Sequence, residues 1–89
     1  MIIKPSTRQN KRFQATFKNG KTIHFGLKGG ETYIDHGDKT KRENYLKRHK
    51  AREDWNIISA GALSRWLLWG DYKTLDENHQ YFMKKFNNP

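Results

Sequence analysis

The chain has 89 residues, no cysteine, 34% hydrophobic and 13% aromatic side chains, and 18 Lys/Arg against 9 Asp/Glu, a net charge of +9. A chain this short buries roughly 60–65% of the surface it exposes unfolded, which argues against a second domain and a deep catalytic cleft, and the missing thiols exclude disulfides and thiolate metal ligands. No apolar run reaches the roughly 18 residues of a membrane span and the N-terminus has no signal-peptide core, so the composition predicts a soluble intracellular protein whose charge meets nucleic acid, an anionic membrane surface or an acidic protein face.

Residues 1–11 are polar, basic and punctuated by Pro5 and Ser6, and read as an extended N-terminal arm outside a compact domain of residues 12–89. Phe13, Ala15 and Phe17 alternate with Gln14 and Thr16, as a half-buried strand does, and Asn19-Gly20 follows. Asn-Gly best tolerates the two positive φ angles of a type I′ hairpin turn. The return strand, Lys21–Leu27, sets Ile23 and Phe25 on one face and Thr22, His24 and Gly26 on the other. Lys28-Gly29-Gly30 makes a second turn, and Glu31–Asp35 predicts a short third strand.

Thr40-x-x-Glu43 is a capping box, whose hydroxyl and carboxylate satisfy backbone N–H groups at a helix start. It predicts a first helix from about Lys41 to Asp54 with Tyr45, Leu46 and His49 on the inward stripe, and Arg42 and Arg52 as candidate further members of that stripe. Ser59 caps a second helix, Ala60 to Trp69, which is apolar almost all round and therefore central; Gly70 stops it. A second capping box, Thr74-x-x-Glu77, opens a third helix with Leu75, Asn78 or His79, Phe82 and Phe86 on one face. The predicted fold class is α+β: a small antiparallel β-hairpin or three-stranded sheet followed by three short helices.

The positive charge is concentrated twice. Residues 39–53 (KTKRENYLKRHKARE) carry seven Lys/Arg against two Glu, and residues 1–30 carry seven Lys/Arg and no acid. Lys41, Lys47, Arg48 and Lys50 flank or oppose the stripe of the first helix, and the arm adds Lys4, Arg8, Lys11 and Arg12. These eight residues are the expected contacts to a phosphate backbone or an acidic partner. A solvated helix face is the plainer reading of the first four; the acid-free first 30 residues weigh against it, because they extend the bias beyond one helix.

Other chemistry has weaker support. His24, Asp35, His36, Asp38 and His49 would meet if the sheet and first helix shared one junction, the layout of a metal-dependent ββα nuclease, but the ligand spacing of such sites is missing. No catalytic residue, metal site or cofactor is assigned. Gly26-Leu27-Lys28-Gly29-Gly30 lacks the following helix and the Gly-Lys-Ser/Thr ending of a phosphate loop, and reads as a turn. Trp55, Trp66, Trp69 and Tyr72 offer either core packing or a stacking platform for unpaired bases; Trp66, three residues from both Leu63 and Trp69, reads as core.

An ordered set of motifs runs through the chain: Thr22-Ile23-His24-Phe25-Gly26, Tyr33 with His36 and Asp38, Arg42, Tyr45-Leu46, Arg48-His49, Arg52-Glu53-Asp54-Trp55, Ala60-Gly61, Ser64-Arg65-Trp66 and Leu68-Trp69. Together they resemble an uncharacterised family of small basic proteins of large double-stranded DNA viruses of algae and protists. The likeness covers residues 12–87 and departs at the Gly29-Gly30 turn and the Asn56–Ile58 linker. It brings no activity to transfer; it implies a viral product, packaged in the virion or acting in the host nucleus or cytoplasm, on the genome or in the capsid shell.

Two readings follow, neither an enzyme and neither needing a cofactor, a membrane or a small-molecule substrate. One is a nucleic-acid-binding protein that grips the phosphate backbone of DNA without sequence readout. The alternative is a minor capsid or cement protein docking on acidic faces of capsid proteins. A metal-dependent nuclease stands as a remote third reading. Glu43, Glu53 and Asp54 interrupt or close the basic helix, whereas dedicated condensing proteins use longer uninterrupted Lys/Arg tracts; the charge itself favours DNA.

Overall fold

Alternation along the first 27 residues yields three strands rather than two. The computed structural model describes all 89 residues and shows a three-stranded antiparallel meander of β1 (Ile2–Pro5), β2 (Lys11–Thr16) and β3 (Thr22–Leu27), in the order β1-β2-β3. Ile3 stands opposite Ala15, and Ala15 opposite Ile23; Phe13 faces Phe25. This register puts Ile3, Phe13, Ala15, Ile23 and Phe25 on one face, as a period of two requires.

The expected arm is therefore corrected. Residues 2–5 are an edge strand whose Ile3 packs against the core, and the boundary drawn at residue 11 falls at the start of β2. Pro5 closes β1, and an edge strand tolerates the missing N–H of proline. Residues 6–10 curl back over the sheet: the Thr7 N–H donates to Gln14 Oε1 (3.1 Å) and Ser6 Oγ lies 2.7 Å from His24 Nδ1.

Two turn expectations also change. The hairpin loop is three residues, Lys18-Asn19-Gly20, with the Gly20 N–H on the Phe17 carbonyl (2.9 Å) and the Phe17 N–H on the Lys21 carbonyl (2.9 Å). Of its residues only Gly20 has positive φ, +86°, so it is the bulged hairpin with one left-handed glycine and not type I′, which needs two such positions. The expected third strand at Glu31–Asp35 is instead a one-turn helix, α1 (Tyr33–His36). Asp35 Oδ2 accepts both the N–H and the hydroxyl of Thr32, each at 2.8 Å, and that local capping outweighs the strand preference of Thr32 and Ile34.

The remaining helices follow their caps. Helix α2 (Lys39–Lys50) starts two residues early because Asp38, placed by left-handed Gly37 (φ +63°), accepts the Thr40 and Lys41 N–H groups at 2.9 and 3.2 Å; it also ends four residues before Asp54. Ser59 accepts the Ala62 N–H (3.1 Å) to open α3 (Ala60–Leu63). α3 runs straight into a π-helical turn, Ser64–Leu68. Thr74 caps α4 (Leu75–Lys85): its Oγ1 accepts the Glu77 N–H (3.3 Å) and its hydroxyl donates to Glu77 Oε1 (2.8 Å), so the Thr74-x-x-Glu77 pair is closed through the hydroxyl and not through the Thr74 N–H.

The core lies between the apolar sheet face and the α3–π–α4 layer. Phe25, Phe82, Leu63, Leu67 and Leu68 are essentially fully buried there with Ala15 and Ala62, each large side chain contributing about 1.5–3 kcal/mol of burial. Asn78, 1% exposed, bolts α4 to the turn before it: its Nδ2 donates to the Leu67 carbonyl (3.0 Å) and the Tyr72 carbonyl (2.9 Å), and its Oδ1 accepts the Tyr72 N–H (3.0 Å). Gly70 is forced by this arrangement, since a Cβ there would run into the Trp66 carbonyl oxygen and the Asn78 carboxamide.

Candidate nucleic-acid interface

Helix α2 has almost no apolar stripe, so its position depends on a few specific contacts. Tyr45, its one buried residue, is stacked between His49 (centroids 4.1 Å, 24°) and Trp69 (4.3 Å, 4°). Arg42 supplies the polar half of the attachment: Nε donates to the carbonyls of Trp69 (3.2 Å) and Gly70 (3.0 Å), and Nη2 pairs with Asp71 at 2.7 Å. A guanidinium suits these carbonyls, which carry the negative end of the helix dipole.

The π turn delivers Trp69 to this stack. The Trp69 N–H bonds the Ser64 carbonyl five residues back, at 3.0 Å, which rotates the end of the helix relative to an α-helix and, as such turns often do, marks a functional region. Beneath it, Arg65, 8% exposed, lies between Trp55 (5.1 Å) and Trp66 (4.2 Å), with Nη1 on the Trp69 carbonyl (3.2 Å). Burial first, then the neighbouring Arg42, push its guanidinium below the ordinary value. Arg42 and Arg65 thus converge on one carbonyl oxygen.

On the outward side of this support lies a basic groove. Lys41, Asn44, Lys47 and Arg48, three and four residues apart on one helical face, line it together with Glu31, His36 and Trp69, around a volume of about 580 Å³. His36 Nδ1 accepts the Asp38 N–H (2.8 Å), which places the ring proton on Nε2; that atom is buried without a partner, its ring edge-on to Trp69 (5.5 Å, 62°). On the other side of Trp69 a cleft of about 440 Å³ is bordered by Phe25, Leu68, Tyr45, His49, Glu53 and Lys11. Burial, and secondarily Glu53, push the Tyr45 hydroxyl up to about 12.

The eight expected contact residues are thereby distributed. Lys41, Lys47 and Arg48 share the groove, and Lys50 is exposed in the last turn of the same helix. Lys4 is exposed on β1, Arg8 is exposed in the loop after it, and Lys11 borders the cleft behind α2. Arg12 is already engaged within the protein: its two terminal nitrogens hold both oxygens of Asp35, each at 2.7 Å. His36 and Asn44 were not anticipated as groove residues; the spacing of Asn44 from Lys41 and Lys47 was the available signal.

The residues weighed for a metal site do not assemble. Asp35 holds Arg12, Asp38 caps α2, and His24 is on the opposite sheet face against Ser6; no three His, Asp or Glu side chains are grouped to hold an ion. The tryptophan rings are occupied by protein groups: Tyr45 on Trp69, Arg65 on Trp55, Arg65 and Lys85 (4.6 Å) on Trp66. No helix is long and apolar enough to cross a membrane.

Compared with known proteins, residues 1–49 match the model of a family of unknown function, DUF5754. The matched segment holds the whole sheet, α1 and all of the groove-lining residues of α2. No curated protein and no solved structure matches the chain.

Proposed function

The chain belongs to the DUF5754 family, and we propose that it is a nucleic-acid-binding protein that grips the phosphate backbone of duplex DNA through the α2 groove, without reading bases. The observation that carries this reading is the groove itself: Lys41, Lys47 and Arg48 converge beside a single acid, Glu31, on a protein of net charge +9. Asn44 adds an uncharged hydrogen-bonding group of the kind that phosphate oxygens accept. Occupied tryptophan faces favour backbone contact over stacking of unpaired bases. The viral resemblance carried by residues 12–87 would place this activity on a packaged genome.

The test is binding to a random duplex of about 30 base pairs across a salt series. Three phosphate contacts give a slope of about 2.7 in log affinity against log salt, a loss of about 40-fold between roughly 50 and 200 mM. Lys47→Glu with Arg48→Glu lowers that slope by about 2. Absence of binding at the lowest salt would overturn the proposal and turn attention to an acidic protein face as the partner of α2.

A further inference from the structure

The groove on α2 leaves most of the charge of residues 1–30 without a role. Those residues form the whole sheet and its turns, with seven Lys/Arg and no acid. Only Arg12 is neutralised, by Asp35. The register turns Ile3, Phe13, Ala15, Ile23 and Phe25 towards the helices and leaves Lys4, Gln14 and His24 in one cross-strand row on the other face. Lys4 is exposed in that row. Exposed Lys18 and Lys21 lie outside this face: at the hairpin end they border a hollow with Ile23, Ile58 and the C-terminal Pro89, whose carbonyl accepts the Lys18 N–H (2.9 Å). Exposed Arg8 and Lys28 stand at the opposite end, where the Lys28 N–H bonds the Asn10 carbonyl (3.3 Å). Arg8 belongs to the loop that curls over Gln14 and His24, its N–H on Ser6 Oγ at 3.0 Å.

This surface is separate from the α2 groove. α2 is fastened through Tyr45 and Arg42 to the end of the π turn, in the layer that covers the other face of the sheet. The shortest principal extent of the molecule is 25 Å, against a screening length of about 8 Å at physiological ionic strength. Charges farther apart than that length are largely screened from each other.

We infer that the protein carries two independent polyanion-binding faces, the α2 groove and the acid-free sheet, and that a single molecule bridges two DNA duplexes. The inference rests on the backbone-binding function proposed above. It extends that function from coating a duplex to cross-linking duplexes, with the same chemistry on both sides: ammonium and guanidinium groups on phosphate oxygens. Nothing in it requires sequence readout.

A bead assay separates the two levels of the proposal. A biotinylated duplex is immobilised, the full-length protein is added, and capture of a second, fluorescent duplex is measured at low salt. Binding to one duplex is followed in parallel by anisotropy. The wild type captures the second duplex. A sheet variant, Lys4→Glu with Arg8→Glu and Lys28→Glu, loses capture by about tenfold or more while its affinity for a single duplex falls only about threefold. The reciprocal groove variant, Lys47→Glu with Arg48→Glu, also loses capture, and circular dichroism checks that both variants keep the wild-type fold. Single-duplex binding without capture by the wild type overturns bridging and leaves the backbone-binding function standing. Capture that persists in the sheet variant overturns it too, assigning bridging to self-association of groove-bound copies. No single-duplex binding removes both.

Discussion

Arg12 shows how one pairing changes the reading of a charge. Its partner Asp35 is 23 residues away and closes the cap of α1 at the same time, so the pair joins β2 to the helical half. The hydrogen bonds from Arg12, chiefly, with those from Thr32, outweigh partial burial and hold the Asp35 carboxyl well below the usual range. A depressed pKa stabilises the folded state at pH values above the unfolded carboxyl, about 3.9, and that contribution is lost as pH falls below it. Both side chains are about a quarter to a third exposed, so solvent screening keeps the gain modest. Asp35→Asn is therefore expected to cost about 1–2 kcal/mol at pH 7, from the weakened ion pair and cap. Urea unfolding checks it: the difference from wild type shrinks as pH falls from about 4 towards 2. A difference that is unchanged over that window would mean that packing, not charge, is what the substitution removes. Arg12 looked free because its acid fell in a segment whose spacing suggested a strand; pairing across 23 residues leaves no local pattern.

At the level of elements, the parts with local causes were legible and the parts with distant causes were not. Ser59 and Thr74 announce α3 and α4 because caps act within three residues. The β2–β3 pair is announced by alternation. β1 was missed because two isoleucines beside a proline make too short a signal; only the exposed edge of β2 makes a strand of them. The π turn has no sequence signature at all, and the Tyr45–Trp69 stack depends on it. Asn78 is one of the two alternatives for the face of α4, and its buried side chain ties that helix to the chain before it. Asn78→Ala removes three hydrogen bonds, one of them the buried bond to the Leu67 carbonyl and two part-buried bonds to the Tyr72 backbone. Its expected cost is about 2–4 kcal/mol, read as a lower denaturant midpoint at unchanged slope. A cost below about 1 kcal/mol would mean that water replaces the side chain there.

Across the whole molecule, net charge was legible from composition, but its division between two sides was not. The spacing of Lys41, Lys47 and Arg48 already put them on one helical face, and the α+β class followed from a hairpin preceding capped helices. What the spacing could not supply was the other side, because the sheet's orientation depends on β1 and on which face α3 covers. The molecule measures 36 × 29 × 25 Å, small enough that a shift of one element moves both basic surfaces relative to each other. The π turn bears directly on this, and its consequence is evolutionary. Closing its turn one residue later than an α-helix, it can enter or leave a lineage by a single-codon insertion or deletion. Losing one residue between Ser59 and Gly70 would swing the following ring by about 100°, away from Tyr45. An alignment of relatives is thus expected to show such one-residue gaps together with loss of the aromatic at the position of Tyr45; gaps scattered among chains that keep both rings would show the two features to have evolved apart.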